Sequence, residues 1–139
     1  ELSPWIDTLI LADTFGHTLY RQIWNKYLGQ VQYPFPPVFY KLKGDLTKLF
    51  TQNTNKEIII SELQAEPWIP DYKDIAEISP NEQAKLMSLK KLASNIEYAK
   101  ETGASKAYLW GVEWWYYMQQ HNHPEYLEYA RTLFKPLTK

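Results

Sequence analysis

The spacing of apolar and polar positions changes repeatedly along the chain. Ser3-Pro4 reads as an N-cap with proline at the first helical position, and Trp5, Leu9 and Ala12 follow on one face of a short helix. From Thr14 to Tyr20 the period falls to two, with Gly16, Thr18 and Tyr20 on one side and Phe15, His17 and Leu19 on the other. Arg21 to Pro37 reads as a long loop that Tyr33-Pro34-Phe35-Pro36-Pro37 would hold extended. Val38 to Gln52 returns to helical spacing through Phe39, Leu42, Leu46, Leu49 and Phe50, with Gly44 interrupting the run.

The next segment, Ile58-Ile59-Ile60-Ser61-Glu62, is a β-branched run that ends on a carboxylate, the pattern of a strand buried on both faces. A loop from Leu63 to Ile78 separates it from Ser79-Pro80-Asn81-Glu82, a capping-box start. One helix is predicted from there to about Thr102, with Leu86, Leu89, Ala93, Ile96 and Ala99 inward and Gly103 as its stop. Lys106 to Gly111 reads as a strand and Glu113 to Gln120 as an aromatic loop or short helix. Pro124 opens a last helix carrying Leu127, Ala130, Leu133 and Phe134. Alternation of this kind predicts an α/β unit over residues 1–139, with about three parallel strands and four flanking helices. Such a unit leaves strand edges open. It has the look of the C-terminal part of a (β/α)8 barrel.

Composition narrows the chemistry. The 139 residues suffice for one core, and a formal charge of −1 gives no electrostatic reason to expect nucleic acid or an anionic membrane surface. No apolar run approaches the roughly 20 residues of a bilayer span. Without cysteine there is no disulfide, thiolate metal site or thiol nucleophile, and the compartment stays open. The chain starts at Glu1 with neither methionine nor a leader-like segment, so a processed form or a piece of something longer is expected. Six Trp and eleven Tyr gather at segment ends, as in Trp24 with Tyr27, Trp68 with Tyr72, and Trp110 through Tyr117. Rings so placed suit the wall of a binding cleft.

Strand alternation sorts the candidates. Ile58, Ile60 and Glu62 would share the face toward a barrel interior, with Ile59 and Ser61 facing the helices. Tyr20 and Trp110 fall at the inward ends of their own strands by the same count. A carboxylate, a phenol and an indole are thus expected to meet at one rim. A tyrosine hydroxyl can orient a carboxylate, and an indole can stack on a sugar ring. Glu66 flanks the same turn as Glu62 and is the alternative active carboxylate. Glu113, Arg21, Trp24, Trp68 and Trp114 are further candidates for substrate contacts. His121-Asn122-His123 lacks a third ligand at useful spacing and reads as an N-cap region. His17 reads as a satisfied packing histidine. No metal or cofactor is called for.

Ile59-Ile60-Ser61-Glu62-Leu63 is similar to the seventh-strand signature of clan A glycoside hydrolases, and Leu109-Trp110-Gly111-Val112-Glu113 resembles the end of their eighth strand. The strand ending at Tyr20 resembles the sixth. The resemblance runs through nearly the whole chain in order. It implies a barrel glycosidase acting on an oligo- or polysaccharide by a retaining, two-carboxylate mechanism. Glu62 would be the nucleophile, Tyr20 its orienting partner and Trp110 a subsite platform. The clan's acid/base follows an Asn on an earlier strand, and no Asn-Glu precedes Tyr20; Asn81-Glu82 is explained by capping. The acid/base is therefore expected outside this chain, supplied by a missing half-barrel, and open edges could also drive self-association. The alternative expectation is a catalytically silent carbohydrate-binding or protein-interaction domain on the same scaffold.

Overall fold

A computed structural model describes residues 6–70 and 73–134; the Ser3-Pro4 cap, Trp5 and Tyr72 lie outside them. Helix α1 (Ile6–Leu11) leads into strand β1 (Thr14–Leu19), followed by a hairpin of β2 (Gln22–Asn25) and β3 (Gly29–Gln32). Then come α2 (Pro37–Phe50), β4 (Glu57–Gln64), a 3-10 turn (Ile75–Glu77), α3 (Pro80–Leu86) and α4 (Leu89–Glu101). β5 (Lys106–Trp110), α5 (Val112–Gln120) and α6 (Glu125–Leu133) complete the order. β1, β4 and β5 form a parallel sheet in the order β1-β4-β5, and this sheet does not close.

The hairpin occupies what the sequence pattern assigned to a loop. Asn25 makes it fold: its side-chain oxygen accepts from the Tyr27 and Leu28 amides at 2.9 and 3.2 Å, and Gly29 takes a left-handed φ of 71°. The single helix expected from Pro80 to Thr102 is two. Ser88 caps a new start by accepting from the Lys91 amide, and Met87 leaves helical geometry with its carbonyl held by the Tyr126 hydroxyl at 2.9 Å. Of the residues expected inward on it, Ile96 and Ala99 are buried, while Leu86, Leu89 and Ala93 are half-buried; Leu92 and Asn95 fill the core instead. The Ser79 capping box and the left-handed Gly103 after α4 fall where the sequence puts them.

Helix α2 departs furthest from its pattern. Its buried positions are Gly44 and Thr47, whereas Phe39, Leu42, Leu46, Leu49 and Phe50 are exposed. Gly44 is the reason. A Cβ there would stand 3.4 Å from Ile58, so the helix lies on the sheet by its smallest residue and turns its apolar stripe away. The core lies instead between β4 and α4, α5 and α6, around Ile60, Leu63, Leu92, Trp114, Met118 and Tyr126.

Two polar groups are buried where a sequence pattern gives no warning. Lys56 is fully buried, with Nζ donating to the Leu9 carbonyl at 2.7 Å and to that of Ala12. A cation there satisfies carbonyls at the C-terminal end of α1 and opposes the negative end of its dipole. His17 is the opposite case. It faces the helices as its position implies and stacks on Tyr40 at 5.3 Å, but neither ring nitrogen finds a hydrogen-bond partner. The histidine is packed rather than satisfied.

Burial, with Lys43 adding to it, pulls the His17 imidazole from 6.5 down to about 4. The folded protein therefore holds His17 neutral where the unfolded chain would protonate it. This contribution is present above pH 6.5 and is lost as pH falls toward 4. His17→Phe keeps the stack on Tyr40 and removes the titration. Urea unfolding between those limits should show the wild type losing stability and the variant holding it; parallel profiles would contradict the assignment.

Candidate functional site

The C-terminal ends of β1, β4 and β5 carry the candidate chemistry, and a β-bulge places it. His17 pairs with Ile60 but Thr18 with Glu62; likewise Ile60 pairs with Ala107 but Leu63 with Leu109. β4 takes three steps there against two on β5, so one extra residue sits at Ser61-Glu62. Simple alternation is thereby corrected. Ile58 faces Gly44 of α2 and Ile60 lies in the core, so these two point to the helices. Ile59 and Ser61 stand on the uncovered face beside Gly16. The bulge shifts the phase between Ile60 and Glu62 and frees Glu62 from the helix side. The expected neighbour is reached by a different route.

That neighbour is Tyr20, whose hydroxyl donates to Glu62 Oε2 at 2.9 Å. Burial, the bond to Glu62 and the charges of Glu62 and Glu66 push the phenol well above its ordinary range, so it remains a donor. Trp68 packs edge-on against the Tyr20 ring at 5.7 Å.

Tyr20 lies just past the end of β1, and a side chain holds the backbone beyond it. Gln64 Oε1 accepts from the Arg21 and Gln22 amides at 3.0 and 2.8 Å, and its Nε2 donates to the Gln22 carbonyl at 2.7 Å. The carboxamide thus continues the sheet's hydrogen bonding where the strand stops. Asn95 locks this from α4, its Nδ2 donating to Gln22 Oε1 and to the Gln64 carbonyl at 3.1 and 3.0 Å. Gln22, Gln64 and Asn95 are all buried. Sequence reasoning does not reach them, because glutamine and asparagine carry no motif; two glutamines at strand termini are the available signal.

The remaining candidates divide. Trp24, on the hairpin, lines a cleft of about 1560 Å³ together with Tyr20, Glu62, Glu66 and Trp68. The cleft continues along Leu42, Leu46 and Phe50 of α2. Arg21 turns away to α4, where Nη1 donates to the Ser94 carbonyl at 3.2 Å and the guanidinium lies 4.1 Å over the Tyr98 ring. Trp114 is 1% exposed, packed edge-on against Tyr126 and bonded to Gln83 at 2.8 Å, so it is core and not a cleft wall. Trp110 is exposed at the end of β5, its carbonyl accepting from the Ala65 amide at 2.9 Å, and the hydrogen bond described at Glu62 comes from Tyr20 and not from Trp110. Burial raises the Glu66 carboxyl above its usual range; Trp110 works against that rise and the charge of Glu113 adds to it. His121 and His123 have separate partners, the Tyr117 carbonyl for one and Asn81 with Glu125 for the other.

No protein-family model matches the chain, and comparisons with curated proteins and with solved structures found no match.

The Gln64 clamp can be tested without reference to any substrate. Gln64→Leu leaves two amides and a carbonyl near Tyr20 without partners, and should cost about 3 kcal/mol or more of unfolding free energy. A loss under about 1 kcal/mol in urea titration would mean that the hairpin start is held by something else.

Proposed function

We propose that the chain is the C-terminal portion of a (β/α)8 glycoside hydrolase barrel that cleaves an oligo- or polysaccharide with retention, Glu62 being the nucleophile. The observation that carries this reading is the Tyr20–Glu62 hydrogen bond at the C-terminal ends of adjacent parallel strands, the end where barrel enzymes build their sites. One carboxylate oxygen accepts from Tyr20 and leaves the other to attack. Attack on the anomeric carbon forms a glycosyl ester as the glycosidic C–O bond breaks, and the leaving oxygen takes a proton from a second carboxyl about 5–5.5 Å from the first. Water, activated by that second group, then hydrolyses the ester.

The proton donor is assigned to sequence outside this chain. Glu82, the carboxylate of the Asn81-Glu82 pair, is committed to the Ser79 capping box. Trp24 and Trp68 serve as walls for sugar rings, with Trp110 as a platform. A silent glycan-binding protein on the same scaffold is the second reading, favoured because no Asn-Glu precedes Tyr20 in the sequence. The apolar stripe of α2 beside the unpaired edge of β1 is the surface on which the missing half-barrel would pack.

Three outcomes test these proposals. In the full-length protein Glu62→Gln should lower turnover on the order of 10⁴-fold or more while glycan binding persists. Tyr20→Phe should lower it about ten- to a hundredfold. Near-normal turnover in Glu62→Gln would remove the nucleophile assignment. The chain by itself should self-associate at micromolar concentration in sedimentation velocity, and less so with Leu42→Lys and Leu46→Lys together. A strictly monomeric wild-type chain would count against an uncompleted barrel.

A further inference from the structure

Trp68 stands on a turn with little freedom. The Ala65 amide donates to the Trp110 carbonyl at 2.9 Å, and the Trp115 indole donates to the Ala65 carbonyl at 2.8 Å. Gly111 has a φ of 140°, and a Cβ on it would lie 2.9 Å from the Ala65 carbonyl carbon and oxygen. Only glycine lets the chain after β5 come so close to the end of β4. Pro67 is buried and Pro70 follows Ile69, so proline rings flank Trp68 and bias Glu66 and Ile69 toward extended backbone.

This turn presents the Trp68 indole from a fixed base. The side chain is 39% exposed and lines the cleft beside Tyr20 and Glu62. Its inward contact is with Tyr20, the ring centroids 5.7 Å apart and the planes at 90°. In such a pair the positive edge of one ring meets the negative face of the other. Tyr20 lies beyond the last paired residue of β1, so the sheet's ladder does not hold it. Gln64 fixes the amides of Arg21 and Gln22, and Glu62 Oε2 accepts from the Tyr20 hydroxyl at 2.9 Å. A phenol tethered only at its backbone and its oxygen still turns about its side-chain torsions. The contact from Trp68 opposes that turning.

We propose that Trp68 is the positioning residue of Tyr20, holding the phenol where its hydroxyl meets Glu62 Oε2. The role rests on the glycosidase reading given above for the reaction it serves, but the hold on Tyr20 can be measured without any sugar. Trp68 thus acts on the rate through Tyr20 in addition to serving as a wall for a sugar ring. An interaction that orients the attacking group appears in kcat, whereas a wall that binds substrate and transition state alike appears in KM.

The test uses the full-length protein carrying tyrosine labelled with 13C at Cζ, whose shift follows the hydrogen bonding of the phenol oxygen. Tyr20 is the signal absent from Tyr20→Phe. Acidification removes the charge on the Glu62 carboxylate that the hydroxyl faces, so the wild-type signal should move, and move far less in Glu62→Gln. In Trp68→Leu the movement should fall below half that of wild type. Trp68→Phe keeps an aromatic edge and should recover it. Because Trp68 is partly exposed, neither variant should unfold the chain. A movement of half or more in Trp68→Leu overturns the proposal.

A second arm measures release of reducing ends from cellohexaose, xylohexaose and mannohexaose. An edge contact of this kind is worth about two- to tenfold in rate, and Trp68→Leu should lower kcat by that factor. Trp68→Phe should recover most of the loss. In the Tyr20→Phe background Trp68→Leu should lower kcat no further. Equal loss in both backgrounds, or a loss confined to KM, overturns the positioning role. If the Tyr20 signal behaves as described and none of the three glycans is cleaved, the hold on Tyr20 stands and the glycosidase reading is what fails.

Discussion

The candidate site depends on a carboxamide that behaves as backbone. β1 ends at Leu19, and beyond it the chain must turn into a hairpin while still presenting Tyr20 to Glu62. Gln64 meets both demands by accepting from two successive amides and donating to the carbonyl of the second, with Asn95 closing the network from α4. Buried and fully engaged, such a network specifies a single arrangement; with one member missing it would destabilise the site it supports. The Tyr20–Glu62 bond follows from this constraint and from the bulge that brings Glu62 to the uncovered side of the sheet.

Much of the architecture is legible from periodicity. The β-branched run into Glu62, the alternation through Leu19, the Ser79 capping box and the Gly103 stop each fall where local physics puts them. What periodicity misses is set by tertiary contact. The stripe on α2 is a genuine helical pattern, but Gly44 lets the opposite side approach Ile58, so the stripe faces outward. The helix from Pro80 breaks because Ser88 competes as a cap, which hydrophobic spacing cannot reveal. Glu62 was placed from an alternation that the bulge interrupts. Simple alternation groups Glu62 with Ile58 and Ile60, whereas the bulge puts it on the other side, beside Tyr20.

The same outward stripe bears on the proposed barrel. Parallel sheets are ordinarily covered on both faces, yet Thr14, Gly16, Thr18 and Ser61 are exposed on one face of this sheet. An uncovered parallel face, two open edges and an apolar helix flank belong together if further strands continue the sheet beyond β1. On that view the cleft is half of a site. Its floor carries Glu62, oriented by the Tyr20 hydroxyl.

The account stands or falls on whether a Glu62 oxygen bonds to sugar. Mass spectrometry of the full-length protein after incubation with activated, slowly turned-over fluoroglycosides would read this directly. A covalent adduct of one glycosyl unit on the peptide containing Glu62, absent in Glu62→Gln, is the predicted result. An adduct on Glu66 in the wild type, or glycan cleavage by inversion with no adduct at all, would contradict it.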